Sequence, residues 1–293
     1  MHNELITIGI PVYNMEKSIL IAIDSCLKQS YKNLEILIVD DGSSDNSIKM
    51  IRQNISDSRV RIYQRQQNGG VCAAMQDLVE QAKGEYICFL DADDTMMSTR
   101  VEKQYMAIKS AEKRYPSRMI ASFCGSEVND ITAGKKYRID PNDLWNANAK
   151  HSFGGGTGHS MYRVADLMKL GNFDSRFSRS ADSAMCILFL MNGGFYANLL
   201  NRRVPDDKVY GFLEAKDYDQ TIFDEFVRIP DYISGTIASM DFENVGSIPE
   251  KHYDLFDKSI VDNERIYIMH IKHGQNEDTL SDLKFTRNNR AEN

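Results

Sequence analysis

The sequence predicts an α/β fold built on a mostly parallel, doubly wound sheet flanked by helices, and three observations lead to it. Apolar runs such as residues 34–39 and 86–90 are near-continuous rather than alternating, as expected of strands covered on both faces. Segments with helical spacing separate these runs, and parallel strands need crossovers of that kind. Polar clusters close one strand after another, at the edge where open α/β sheets bind ligands.

The elements follow in order. Residues 6–10 read as a strand, and 15–29 as a helix with Ile19, Ile23, Cys26 and Leu27 at helix spacing. A second strand over 34–39 is stopped by Asp40-Asp41-Gly42-Ser43-Ser44-Asp45, after which 47–54 returns to helix. A third strand, 60–64, leads through the turn Asn68-Gly69-Gly70 to a helix over 71–82. The fourth strand, 86–90, ends in Asp91-Ala92-Asp93-Asp94. A helix is expected over 98–113, a strand over 119–124, and then a polar stretch to about residue 151. A glycine-rich loop at 153–158 precedes a strand over 159–162, a helix over 163–170, a turn at 172–174 and an apolar helix over 181–191. Beyond Pro205 the composition turns acidic, aromatic and irregular, with helices expected at 219–226 and 263–270. The reading is therefore one domain over 1–204 and a mainly helical C-terminal extension over 205–293, whose tail, 286–293, is polar enough to be disordered.

Composition narrows the function. A chain of 293 residues with 42% hydrophobic and 26% charged residues can bury a substantial core. A net charge of -7 argues against nucleic acid as a partner, because phosphate-backbone affinity comes from Lys and Arg. Cys26, Cys72, Cys88, Cys124 and Cys186 lie singly in apolar segments, which reads as reduced core thiols rather than a zinc or disulfide framework. No basic stretch opens the sequence and no apolar run approaches the ~20 residues that span a bilayer. A cytoplasmic protein is expected.

Asp91, Asp93 and Asp94 are the first candidates for chemistry. Clustered carboxylates repel unless a positive group joins them, and hard oxygen ligands suit Mg²⁺ or Mn²⁺. A turn with an N-cap at Asp94 or Thr95 is the other reading of the same residues. Four strand ends carry polar clusters: Pro11-Val12-Tyr13-Asn14, Asp40-Asp41-Gly42-Ser43, Asn68-Gly69-Gly70 and Asp91-Ala92-Asp93-Asp94. Each alone is routine turn chemistry; together they form one rim.

In order and spacing these motifs resemble the family 2 glycosyltransferases of the GT-A fold. The resemblance is strong over residues 4–110, weaker to about 200 and absent beyond. It implies that Pro11 and Tyr13 wall a nucleobase, with Asn14, Asn68, Gly69 and Ala92 on the same nucleotide-sugar site. It implies that Asp41 accepts the N3–H of uracil, a contact that cytosine, lacking that donor, cannot make. On that reading Asp41→Ala weakens UDP far more than it weakens the fold. Asp93, with Asp91, is the implied metal ligand for Mn²⁺ or Mg²⁺ bridging a diphosphate, and Asp91 and Asp94 are shared with ribose, metal waters or sugar. Asp182 is the implied catalytic base. Gly156, His159 and Ser160 fall on the sugar or acceptor side, although a histidine beside a strand is as readily structural.

The implied activity is inverting, metal-dependent transfer of a sugar from a UDP-sugar to a hydroxyl of a glycan or lipid-linked glycan acceptor, in bacterial surface polysaccharide synthesis. Contact with the inner face of the membrane and homo-oligomers through the extension are compatible with it. The pattern departs from the family in two places. Met75-Gln76 stands where Arg-Asn is common, so Arg100, Lys103 or the extension must supply a cation; Ala181-Asp182 replaces a Glu-Asp pair. No histidine is assigned to the metal, His252, His270 and His273 being read as surface residues. Two other readings stay open: a UDP-sugar-binding relative without turnover, and a sugar nucleotidyltransferase.

Overall fold

The computed structural model describes residues 4–130, 135–139, 157–173, 185–186, 189, 192, 194–197 and 267–272. The chain begins as alternating strands and helices: β1 (Ile6–Val12), α1 (Ile19–Leu27), β2 (Leu34–Asp40), α2 (Ser47–Asn54), β3 (Val60–Gln64), α3 (Val71–Gln81) and β4 (Tyr86–Phe89). It continues through β5 (Asp94–Met96), α4 (Arg100–Arg114), β6 (Ile120–Phe123), β7 (Gly125–Asp130) and β8 (Lys135–Ile139). A 3-10 turn, Thr157–His159, leads into β9 (Ser160–Arg163), followed by α5 (Val164–Lys169), β10 (Phe195–Tyr196) and β11 (Tyr267–Lys272).

Seven strands form the main sheet in the order β10-β6-β9-β4-β1-β2-β3. Neighbours run parallel except β9, which is antiparallel to both β4 and β6. Strand β2 is buried at all seven positions, so its two acids, Glu35 and Asp40, need partners. Glu35 finds them: it accepts Thr7 Oγ1 at 2.7 Å and the Lys83 N–H at 2.8 Å, and pairs with Arg61 Nε at 2.9 Å. At the same end of the sheet Glu4 joins the hydroxyl of Tyr105 and Lys109, and Glu112 joins Lys109, Arg163 and the Tyr86 hydroxyl. This polar network pins the start of β1 to α4 and β9, at the end opposite the acidic strand terminus.

The structure corrects several local expectations. Helix α1 starts at Ile19 rather than at residue 15, because the N–H groups of Met15 and Glu16 go to Ser47 Oγ and Asp45 Oδ2 of the next crossover. Asp94 and Thr95 do not cap a helix; they open β5. The polar stretch after residue 124 contains the antiparallel pair β7–β8. The helix expected at 263–270 is replaced by β11, which lies between β5 and β7 in a second sheet of order β5-β11-β7-β8. Its alternation of branched and polar residues fits either state, and two waiting strand edges decide it. Part of the C-terminal region thus belongs to the body of the fold, with His270 in register with Asp94. The helices expected at 181–191 and 219–226 and the tail at 286–293 lie mostly or wholly outside the described residues. All five cysteines are buried, as the apolar segments around them predict.

Candidate active site

Strands β1 to β4 are parallel, so the loops that follow them emerge at one end of the sheet. Val12 lies opposite Asp40, and the loops after β1 and β2 therefore leave at the same level. They are sewn together. Asn14 adopts a left-handed backbone, φ 55°, which asparagine tolerates better than most residues. Its Oδ1 accepts the N–H groups of Ser44 at 2.9 Å and Asp45 at 3.3 Å, and its own N–H donates to Ser43 Oγ at 2.9 Å. Glu16 Oε2 accepts both nitrogens of Asn46 at 3.0 Å. Asn14 is thus a bracket between loops as well as a candidate ligand. Tyr13 stands clear beside it, 47% exposed, and Pro11 is half-buried.

Asp41 is buried at 3% exposure and holds the third loop. Its Oδ1 accepts the Gly69 N–H at 2.9 Å and its Oδ2 the Gly70 N–H at 2.8 Å. Asn68 adds its own Oδ1 to the Gly70 N–H at 3.1 Å. Gly42, at φ +76°, is where the chain passes close by: a Cβ there would sit 2.9 Å from the Asn68 nitrogen. Arg65, one residue past β3, brings its Nε to 3.0 Å from Asp41 Oδ1, an ion pair in which the N–H is not aimed at the oxygen. The same guanidinium donates to the Ala73 carbonyl at 3.2 Å and pairs with Asp77.

Two consequences differ from the sequence reading. Asp41 is a structural fastener as well as a candidate uracil acceptor, so its removal must cost stability. The cation absent at Met75, itself buried in α3, is present nearby as Arg65. Its place three residues before Asn68, at a strand end of the rim, was the available signal.

At β4 the Leu90 N–H bonds to the Gly9 carbonyl at 3.0 Å and the sheet then releases the chain. Asp91 is exposed, Ala92 buried, Asp93 half-buried and Asp94 only 5% exposed. The Asp94 N–H folds back to the Asp91 carbonyl at 3.0 Å, which makes the bend. The three acids expected on the rim are therefore divided, Asp91 and Asp93 outward and Asp94 inside β5. Gly158 approaches this bend: a Cβ on it would lie 3.5 Å from Asp91 Oδ2.

Arg100 does not supply a cation to the open rim. It is fully buried, donating to the carbonyls of Phe89 at 3.0 Å and Gly158 at 2.7 Å and to Gln104 Oε1 at 2.9 Å. His159 and Ser160 are also buried; the imidazole Nε2 lies 2.6 Å from Ser126 Oγ and the ring stacks on Phe123 at 5.5 Å. They support the rim from beneath. Asp182 and Gly156 lie outside the described residues.

Among the described residues no three His, Cys, Asp or Glu side chains converge on one point. Asp91 and Asp93 can offer two hard oxygen donors, which suits Mg²⁺ or Mn²⁺ completed by substrate phosphates and water rather than an all-protein cage. The donor set fits a cation that arrives with a diphosphate.

The model of Glycosyl transferase family 2 matches residues 7–171, the segment that carries all four loops. The chain belongs to this family. An uncharacterized glycosyltransferase of Haemophilus influenzae is 37% identical over 139 residues, 46% of this chain and 56% of that protein. An Escherichia coli protein named UDP-Glc:alpha-D-GlcNAc-diphosphoundecaprenol beta-1,3-glucosyltransferase is 39% identical over 101 residues, 34% of this chain and 40% of that one. The family 2 chain spans about half the length of these curated relatives. The structure of S. aureus TarS 1-349 in complex with UDP-GlcNAc superposes with a TM-score of 0.55 at 18% identity, covering 86% of this chain and 70% of that one. The fold is GT-A. No helix among the described residues of this family 2 chain is long and apolar enough to cross a membrane.

Proposed function

We propose that this chain is an inverting, metal-dependent glycosyltransferase that moves a sugar from a UDP-sugar to a hydroxyl of a glycan or lipid-linked glycan acceptor in bacterial surface polysaccharide synthesis. The observation that carries the proposal is the single rim on which the Asp41-anchored loop, Tyr13 and the Asp91–Asp93 bend meet. Asp41 offers about four lone-pair sites and uses two on Gly69 and Gly70, which leaves Oδ2 able to accept the N3–H of uracil. Pro11 and Tyr13 flank the base, and Asn68 and Gly69 back it. The names of relatives that use UDP-Glc, and of fold neighbours that bind UDP or UDP-GlcNAc, support a UDP donor.

Asp93 and Asp91 would hold Mn²⁺ or Mg²⁺, which neutralises the charge that grows on departing UDP. A mannosyltransferase of similar fold, solved in complex with GDP-Man and Mn²⁺, supports a divalent cation. Asp182 takes the proton of the acceptor hydroxyl as its oxygen attacks the anomeric carbon opposite the leaving diphosphate; the new C–O bond forms as the bond to UDP breaks and its electrons pass to the β-phosphate. We assign catalysis to 1–204 and acceptor, membrane or subunit contact to 205–293, apart from β11, and a cytoplasmic site of action at the inner membrane face.

The test is UDP release from a panel of UDP-sugars with Mn²⁺, with EDTA and with Asp182→Asn. Release that needs metal and collapses in the variant is expected. UDP binding with neither transfer nor slow donor hydrolysis favours the silent relative, a reading Ala181 keeps open. Pyrophosphate exchange with UTP would instead mark a nucleotidyltransferase.

A further inference from the structure

Arg100 is the largest side chain fully buried among the described residues, and the hydrogen bonds it donates go to neutral groups, among them two backbone carbonyls and the amide oxygen of Gln104. Burying a guanidinium without a carboxylate is costly, and a well-packed apolar residue often serves stability better. What the charge holds is therefore informative. Phe89 ends β4, two residues before Asp91, while Gly158 sits in the 3-10 turn that faces Asp91 Oδ2. One planar fork thus ties the strand end that leads to Asp91 to the turn that lies against that carboxylate. Gln104 extends the grip, donating Nε2 to the carbonyls of His159 at 3.0 Å and Ser122 at 3.2 Å.

We propose that Arg100 is a positioning residue for the sugar-diphosphate end of the donor: by holding the Phe89 and Gly158 carbonyls it fixes where the Asp91 carboxylate stands against the turn Thr157–His159. The inference rests on the UDP-sugar reading above. Nucleobase recognition lies on the other side of β1, in the loops after β2 and β3, and is independent of Arg100. Lysine keeps the charge but lacks the fork and cannot reproduce both bonds.

The experiment compares wild type, Arg100→Lys and Gly158→Ala with Mn²⁺ and UDP-glucose, UDP-galactose and UDP-N-acetylglucosamine, reading UDP release, together with the Kd for UDP alone and the melting temperature. For Arg100→Lys, kcat is expected to fall roughly 30-fold or more while the UDP Kd stays within about threefold, since small misplacements at a reacting centre cost that much. Gly158→Ala breaks no Arg100 bond, and its added methyl meets Asp91 only at ordinary contact distance. It is expected to stay folded and bind UDP normally, with kcat/KM for the best donor lowered about tenfold because the methyl restricts the Asp91 carboxylate.

Turnover of Arg100→Lys within threefold of wild type overturns the inference, as does a parallel loss of kcat, UDP affinity and melting temperature. Should Arg100→Lys fail to fold, Gly158→Ala decides, and wild-type kcat/KM in that variant overturns the inference. A wild-type chain that neither binds UDP nor cleaves any of the three donors overturns the UDP-sugar reading and this inference with it; normal wild-type turnover with unaffected variants overturns this inference alone.

Discussion

Replacing Asp41 by asparagine separates its two duties. The amide keeps one oxygen but places an NH₂ where the other stood, so either the Gly69 or the Gly70 N–H faces a donor instead of an acceptor. Hydrogen bonds to charged groups are worth about 1.5–3 kcal/mol, and the glycine N–H that now faces an NH₂ adds to the loss. Arg65 retains Asp77 but loses the charge on Asp41. A net cost of about 3 kcal/mol follows, within the range for breaking a buried pair. With a urea m-value of about 2 kcal/mol/M the unfolding midpoint drops by about 1.5 M. The assay is urea unfolding followed by tryptophan fluorescence and far-UV circular dichroism, each with and without saturating UDP and Mn²⁺. Wild type should gain about 2.7 kcal/mol at a hundredfold excess over Kd, and the variant almost none. A midpoint within about 0.3 M of wild type refutes the fastening role, the shift expected from a surface substitution being of that size. Equal stabilisation of both proteins by UDP refutes uracil recognition by this carboxylate.

Three further outcomes are expected. Gly84→Ala would put a Cβ 2.6 Å from the Thr7 nitrogen and 2.8 Å from the Tyr86 carbonyl, both backbone, so a melting curve should record a loss of about 1–3 kcal/mol or more; unchanged melting would contradict the β1–β4 packing. The Tyr105 hydroxyl, with Lys109, holds the Glu4 carboxyl down at about 2 against a usual 4.5. A depressed carboxylate stabilises fully above its unfolded value, so that contribution should be lost as pH falls from about 4.5 through about 2. Glu4→Gln should flatten this acid limb in urea midpoints measured against pH, and an unaltered limb would remove Glu4 from the latch. Asn14→Gly keeps the left-handed backbone but deletes the oxygen that joins Ser44 and Asp45. Amide exchange at both residues should quicken in the ligand-free protein at a stability cost of about 1 kcal/mol, whereas a residue that only met ligand would leave exchange unchanged.

The β1-to-β4 half of the main sheet, and the rim above it, were legible in the order of residues alone. Strands 34–39 and 60–64 and helix 47–54 came out almost residue for residue, because apolar period and turn residues are local properties that each segment carries with it. The same locality placed Tyr13, Asp41, Asn68 and Asp91 on one edge, since successive parallel strands must end together. Where a segment's state depends on a distant edge, the pattern was silent. The strand Asp94–Met96 and the hairpin β7–β8 are short and polar, and Tyr267–Lys272 has spacing that suits helix or strand; what fixes β5, β7 and β11 is pairing with one another across most of the chain. Nor can spacing tell which polar groups spend themselves inside the protein. Three-dimensional packing is what turns Arg100 inward to two carbonyls, stands Arg65 beside Asp41, and buries Asp94 but not Asp91. Hydrogen bonding and desolvation are settled by what packs against a side chain, and that is a property of the assembled fold.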